Sequence, residues 1–351
     1  MDFTYSDEQR MMTSSFRELT DDLCAGPAIR AAFEGTADDG AARWARIAQM
    51  GLPGMLARQT CGGLGLHAVD FALIAEEAGR AALPEPLSEH AGVVVPLLAE
   101  LSAVPAVADI LPSAVSGESL VAVMHDANPF AWLAEHASQI VICRGDEVHL
   151  VAAENADIVV QPSVDAVRRL VKIDAAIGPR TLIAQGEAAR AASARAFERG
   201  ALFAAAECAG LAERMIQIAV AYAQQRIQFG KPIGSYQAIK HVLATSQVKL
   251  EFARPVLYAA ASRNADLGVR ARALVSHAKL AATEAADFAA RTSIQVHGAM
   301  GYSWELDLHF YMKRAWALAG AWGDRNFHAR RVQSLVLDGA IALGADRTFD
   351  A

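Results

Sequence analysis

The stretch that decides the fold runs from Tyr222 to His241, YAQQRIQFGKPIGSYQAIKH. An Ala-rich run at helical spacing leads into it and ends as the basic Arg226 appears. Phe229-Gly230, then Pro232 and Gly234, break the periodicity, because glycine admits turn conformations and proline cannot continue a helix. A new helix is predicted to open at Ser235, an N-cap residue type, with Gln237 and Lys240 in its first turns. One fixed cation and one aromatic ring thus stand where two helices meet at a rigid turn. The unpaired N–H groups of a helix start attract anions, so the joint suits a phosphate-bearing ligand with a flat ring. The same residues also describe a plain helix hairpin with a solvated Arg.

Working outward, the 351 residues exceed a usual single-domain length and predict two or three domains. Hydrophobic residues make up 53% and aromatics only 7%, with long Ala-rich runs that favour close-packed helices over a sandwich. A formal charge of −7 with no basic face argues against nucleic-acid binding. Cys24, Cys61, Cys143 and Cys208 lie far apart, with no C-x-x-C pair, and read as reduced thiols. The polar, acidic start MDFTYSDEQRMM does not read as a signal peptide, and no uncharged apolar run reaches eighteen residues. These features lead us to expect a soluble cytoplasmic chain with no membrane span.

Taken in order, a helix is predicted from about Ser6 to Arg30, a second from Gly40 to Met50, and a third from Ala68 to Arg80. Between the last two lies the loop Thr60-Cys61-Gly62-Gly63-Leu64-Gly65, which reads as a turn or as a loop close to a ligand. From about Leu120 to Ile183 short apolar runs alternate with polar turns and predict a small antiparallel sheet. Helices then return: Ala192 to Arg226, Ser235 to Asp266, Val269 to His297 and Tyr302 to about Gly320, with a terminal segment to Leu343. Four amphipathic helices with short connections predict a bundle. The divisions are 1–117, an N-terminal helical domain; 118–185, a small β domain; and 186–351, a C-terminal four-helix bundle. The fold class is mainly α with a small β domain.

Arg226-x-x-Phe229-Gly230-Lys231-Pro232-Ile233, with Gln237 at the eleventh position after the Arg, resembles the flavin-binding signature of acyl-CoA dehydrogenases. Gln295-Val296-His297-Gly298-Ala299-Met300-Gly301-Tyr302 resembles that family's other C-terminal signature, usually Gln-x-x-Gly-Gly-x-Gly-Tyr/Phe. The resemblance covers nearly the whole chain and is weak in the middle. It implies FAD as cofactor, an acyl-CoA substrate desaturated between its α and β carbons, and electron-transfer flavoprotein as electron acceptor. It also implies a homo- or hetero-oligomer, dimer or tetramer. Arg226, Phe229 and Gln237 would hold the diphosphate and adenine of a flavin bound mainly by a neighbouring subunit, with Gln295, Gly298 and Ala299 at its adenosine end. Asp324 stands at a position near the flavin.

Two departures accompany that resemblance. Where the family usually carries Thr-Glu-Pro-Gly-x-Gly-Ser-Asp over the flavin ring, this chain has His125-Asp126-Ala127-Asn128-Pro129-Phe130. Both family positions for the catalytic Glu lack a carboxylate: counting places Trp322 at one and Gly200 at the other. Dehydrogenation needs a carboxylate in a dry pocket, where desolvation raises its pKa and makes it a competent base. Glu207, the only charge in a twelve-residue apolar run, is the remaining candidate; its other reading is a structural ion pair. Glu198, beside Arg195 and Arg199, reads as a surface salt bridge. Trp304-Glu305-Leu306-Asp307-Leu308-His309 reads as a capped, charge-paired helix start rather than a metal cluster. Two functions stay open. One is a catalytic FAD-dependent acyl-CoA dehydrogenase subunit. The other is a non-catalytic partner in a heteromeric (αβ) enzyme, as in members acting on bulky, steroid-derived CoA esters.

Overall fold

Ser6 starts the first helix with a capping box. Its hydroxyl accepts from the Gln9 N–H at 3.1 Å while the Gln9 side chain accepts from the Ser6 N–H at 3.0 Å, pairing donors that a helix start leaves open. In this computed structural model, which describes residues 4–35, 40–264, 268–338, 341 and 344, α1 spans Asp7–Leu23. The helix predicted to reach Arg30 is in fact two, because Gly26-Pro27 ends the register and opens α2 (Gly26–Glu34). Helices α3 (Gly40–Gln49) and α4 (Ala68–Arg80) match their predicted spans closely. Helix α5 (Leu87–Glu89) runs through a π turn at His90–Val94 into α6 (Val95–Glu100), and α7 (Pro105–Ser116) follows.

The middle β domain is more elaborate than one antiparallel sheet. Strands β1 (Val121–His125), β2 (Ala131–Trp132), β3 (Gln139–Arg144), β4 (Glu147–Ala152), β5 (Ala156–Val160), β6 (Leu170–Ala175) and β7 (Leu182–Gln185) form two sheets. One has the order β1-β3-β4-β7 and pairs β1 with β3 in parallel; the other, β2-β6-β5, is antiparallel. The chain leaves β1, contributes β2 to the second sheet and returns, so β3 enters in the direction of β1. Residues of β1 alternate between two cores: Val121 and Val123 face the helices, whereas Ala122 and Met124 face the second sheet.

Helix α8 (Gly186–Gln225) is the spine. At roughly 1.5 Å per residue its 40 residues extend about 60 Å. The backbones of α4 and α8 touch at a reciprocal pair of glycines. A Cβ on Gly210 would stand 1.8 Å from the Glu76 carbonyl, and one on Gly79 would stand 2.1 Å from the Glu207 carbonyl. Beyond α8, β8 (Ile227–Gln228) and β9 (Lys231–Pro232) form a hairpin, followed by α9 (Gln237–Ser262), α10 (Val269–His297), α11 (Leu308–Gly320) and α12 (Arg325–Leu337). Helix α9 opens at Gln237 rather than Ser235, whose hydroxyl turns back to the Pro232 carbonyl at 2.7 Å within a 3-10 turn. A 3-10 turn, Gly298–Tyr302, precedes α11, so that helix starts at Leu308 and not at Tyr302. Asp266 and Leu343, predicted ends of two segments, lie outside the described residues. Among the described residues, no helix is long and apolar enough to cross a membrane.

Candidate functional site

The joint after α8 is a two-residue hairpin whose central residues both have positive φ, Phe229 at 52° and Gly230 at 80°. A two-residue hairpin of this kind needs positive φ at both central positions, a conformation strained for a side chain as large as Phe, and such strain clusters at functional sites. Phe229 is 92% exposed, so packing within this chain does not account for it. Arg226 caps the end of α8 through its backbone N–H, and its side chain is exposed with no ion pair among the described residues. Gln237, also exposed, is the first residue of α9.

The second motif meets the first at the same end of the bundle. Val296 packs with Ala219, Ala223 and Leu243, and the His297 ring stacks on Tyr222 at 4.1 Å. Gln295 is exposed, as are Gly298 and Ala299, which open the 3-10 turn; Gly298 has φ 61° and ψ −139°, a conformation essentially restricted to glycine. Six of the predicted cofactor residues therefore gather at one solvent-facing end.

Asp324 does not join them. It is the N-cap of α12, accepting from the Phe327 N–H at 2.8 Å, two residues after Trp322. Trp322 lies against Gly200: a Cβ on Gly200 would stand 2.2 Å from the indole ring. Gly200 and Arg226 are twenty-six residues apart on the same helix, roughly 39 Å at about 1.5 Å per residue.

Around Trp322 a small cavity of about 10 Å³ is lined by Ser88, Glu89, Val93, Trp132, Phe203, Ala204 and Glu207, among others. Trp322 is 2% exposed and itself adopts positive φ, 56°. Its carbonyl accepts from His328 Nε2 at 2.9 Å, and the Asn128 side-chain oxygen accepts from its N–H at 3.4 Å. Burial keeps His328 neutral, lowering its pKa to about 4. The buried Lys279, lowered by desolvation to about 8, donates to the Leu318 carbonyl just before this turn.

Glu207 is buried and faces this cavity, and desolvation raises its pKa despite Arg314 and Arg168 nearby. It makes no ion pair within 4 Å among the described residues, and Arg314 and Arg168 act on it from further away. Glu198 is also corrected. It is 3% exposed and is paired by Arg331, while Arg195 and Arg199 go instead to Glu100. The residue that sequence reasoning missed is Glu89. Its carboxyl accepts from Asn128 Nδ2 at 3.4 Å and lies 3.6 Å from Arg168, yet burial pushes its pKa up to about 7. The apolar run Ala91–Ala99 behind it was the available signal. Between pH 4.5 and 7 the folded state holds this proton more tightly than the unfolded chain, so the carboxyl's contribution to stability is lost as pH rises through that window. Glu89→Gln should therefore gain on the wild type by roughly 2–3 kcal/mol between pH 5 and pH 8. Urea unfolding at both pH values checks this, and a pH-independent difference would refute it.

In the remaining predicted cluster, Asp307 pairs with Arg30 at 2.6 Å and His309 packs edge-on against Trp304. Both are structural contacts at the start of α11.

Comparison with known proteins shows the family. Residues 6–118 match the model of the acyl-CoA dehydrogenase N-terminal domain, and residues 189–337 match that of the C-terminal domain. Acyl-CoA dehydrogenase IpdE2 of Mycobacterium tuberculosis is 30% identical over 322 residues, covering 89% of this chain and 92% of that protein. This chain belongs to the acyl-CoA dehydrogenase family. Members are FAD-dependent oxidoreductases acting on CH–CH bonds. Among solved structures, PigA with FAD and proline superposes with a TM-score of 0.85 at 20% identity, over 97% of this chain and 100% of that one. The ChsE4-ChsE5 complex from Mycobacterium tuberculosis superposes with a TM-score of 0.82 at 21% identity, over 97% and 100%. These two likenesses concern the fold.

The residues at the Arg226 end of this acyl-CoA dehydrogenase chain fit FAD, whereas side chains of the loop at the Trp322 end are engaged within the chain. At the Arg226 end a guanidinium with no ion pair among the described residues, an exposed ring and an open glycine backbone face solvent together. At the Trp322 end the loop from His125 to Phe130 is already committed. His125 Nδ1 accepts from the Ala127 N–H at 2.9 Å, and the Asn128 side chain bonds Glu89 and Trp322. The His125 and Asn128 side chains of that loop are thus engaged within the chain.

Proposed function

We propose that this chain is a non-catalytic partner subunit of a heteromeric acyl-CoA dehydrogenase. It clasps the diphosphate and adenine end of FAD with Arg226, Phe229, Gln237, Gln295, Gly298 and Ala299. The ring and the catalytic base belong to the other chain. The observation that carries this reading is the contact of Trp322 with Gly200. Both positions at which the family places its base are occupied by residues that fill each other's space, and the cavity left is about 10 Å³. That is far below what an acyl chain needs. The roughly 39 Å between the two ends supports a shared site, since one dinucleotide does not bridge Arg226 and Trp322 of a single chain.

The substrate we assign to the assembly is a bulky, ring-containing acyl-CoA, in keeping with the likeness in fold to the Tcur3481-Tcur3483 steroid ACAD, and the two-chain assembly is in keeping with the ChsE4-ChsE5 complex. The acceptor we assign is electron-transfer flavoprotein. FAD supplies the hydride-accepting chemistry when bound, and this chain's part is to hold its phosphate end.

A second reading has one observation in its favour: Glu207 is a desolvated carboxyl on a cavity wall and could act as base if Trp322 swung away. Glu207→Gln in the purified assembly separates the two. The partner reading expects turnover within about twofold of wild type, whereas loss of a general base costs about 100-fold or more. A purified preparation with no flavin absorbance, alone or with any partner chain, would remove both readings.

A further inference from the structure

A pocket where α1 and α2 meet α8 and α11 takes no part in the reading above. We propose that it binds a small oxyanion, a phosphate or carboxylate group, on the Arg214 guanidinium and the Tyr311 hydroxyl. The pocket holds about 260 Å³. That is just under the roughly 300–1,000 Å³ of drug-sized sites, so it suits a compact ion and not a dinucleotide or an acyl-CoA. Arg214 on α8 and Tyr311 on α11 line it together with Thr20, Asp21, Arg80 and Asp307. Arg214 is half-buried, and its guanidinium carbon stands 6.0 Å from the centre of the Tyr311 ring. The groups whose charges act on the Tyr311 hydroxyl are Arg214, Cys24 and Asp307, all of them lining this pocket. A guanidinium carries donors only, so beside it the hydroxyl keeps its own proton to give. Burial raises the Tyr311 pKa and holds that hydroxyl neutral.

Charge decides which ligand class is favoured. Both carboxylates on the pocket wall are already held: Asp21 by Arg80 at 2.6 Å and Asp307 by Arg30 at 2.6 Å. Glu77, on the other side of Arg80, is paired by Arg17 as well. Arg214 has no carboxylate within 4 Å among the described residues, and its neighbour Glu213 is taken by Arg254. The charge left over on the wall is therefore positive. A cation is repelled by it, and a neutral ligand leaves the guanidinium without a counter-charge. An oxyanion accepts a charge-assisted bond from Arg214 and a second bond from Tyr311.

The test titrates the full chain at neutral pH with inorganic phosphate and with acetate, against chloride at matched ionic strength, read by calorimetry and thermal shift. Neither readout requires flavin, acyl-CoA or a partner chain, so failure here leaves the flavin reading untouched. Phosphate or acetate is expected to bind with a Kd of about 1 mM or below and to raise the unfolding temperature, while chloride does neither. The tighter of the two shows whether the site is built for a phosphate or a carboxylate. Arg214→Gln should weaken binding about tenfold or more, and Tyr311→Phe, which keeps the ring, about three- to tenfold. Arg226→Ala removes the same charge roughly 18 Å further along α8 and should leave binding unchanged, which separates this pocket from the flavin clasp. Circular dichroism confirms that the variants fold. If Arg214→Gln does not fold, unchanged binding in Tyr311→Phe overturns the proposal on its own. No binding beyond that of chloride, binding that persists in folded Arg214→Gln, or an equal loss in Arg226→Ala would overturn it as well.

Discussion

Arg314→Leu should lower the unfolding free energy by about 3–5 kcal/mol, the usual effect of removing one partner of a buried ion pair. Arg314 on α11 is fully buried and pairs with Asp165 of the β domain, which is also fully buried. It donates to the Leu83 carbonyl at 2.8 Å and lies 5.0 Å from the Trp132 ring, which Arg168 approaches at the same distance. One side chain thus ties the C-terminal helices to the segment after α4 and to the β domain. Removing it leaves the Asp165 carboxylate in an apolar interior. The charge term is separable from packing, because Arg314→Leu combined with Asp165→Leu removes both charges and should recover most of the loss. Urea midpoints for wild type, both single variants and the double variant measure the coupling. Additive losses would show that Arg314 acts through packing and its carbonyl bond alone.

Much of this architecture is legible in the residues. The limits of α4 and α10 follow from periodicity and their flanking breakers, and the Ser6–Gln9 box is a local signal that nothing distant overrides. Ser235 shows where local reasoning fails: the residue type suits an N-cap, but its hydroxyl has a nearer acceptor in the Pro232 carbonyl. The parallel pairing of β1 and β3 depends on the excursion of residues 126–138 into a second sheet, which no period of two reveals. Gly200 and Trp322 are each readable as a missing carboxylate. That the ring of one fills the space left by the other is a fact of three dimensions, and it turns two absences into one closed pocket. The burial of Glu89 is imposed by the π turn behind it and by Asn128 from the β domain, contacts that its place in the sequence does not reveal.

Arg226→Ala should weaken flavin retention by the assembled enzyme about 10- to 100-fold, with the fold intact. A charge-assisted bond to a phosphate is worth about 1.5–3 kcal/mol, and each 1.4 kcal/mol is a factor of ten. The fold should survive because the side chain is exposed and has no ion pair among the described residues, while the backbone N–H that caps α8 is unchanged. Arg226→Lys keeps the charge but not the planar fork, so it should recover part of the affinity and show a steeper loss as salt rises. Phe229→Gly relieves the backbone strain of the hairpin while deleting the ring. If the ring serves the flavin, that variant should be at least as stable as wild type and yet release FAD faster. Flavin absorbance remaining after gel filtration, with partner chain present, measures all three. Wild-type retention in Arg226→Ala would mean that the cation at the end of α8 is solvated and that the clasp lies elsewhere. A Phe229→Gly variant that is destabilised with flavin retention unchanged would return the ring to a structural role.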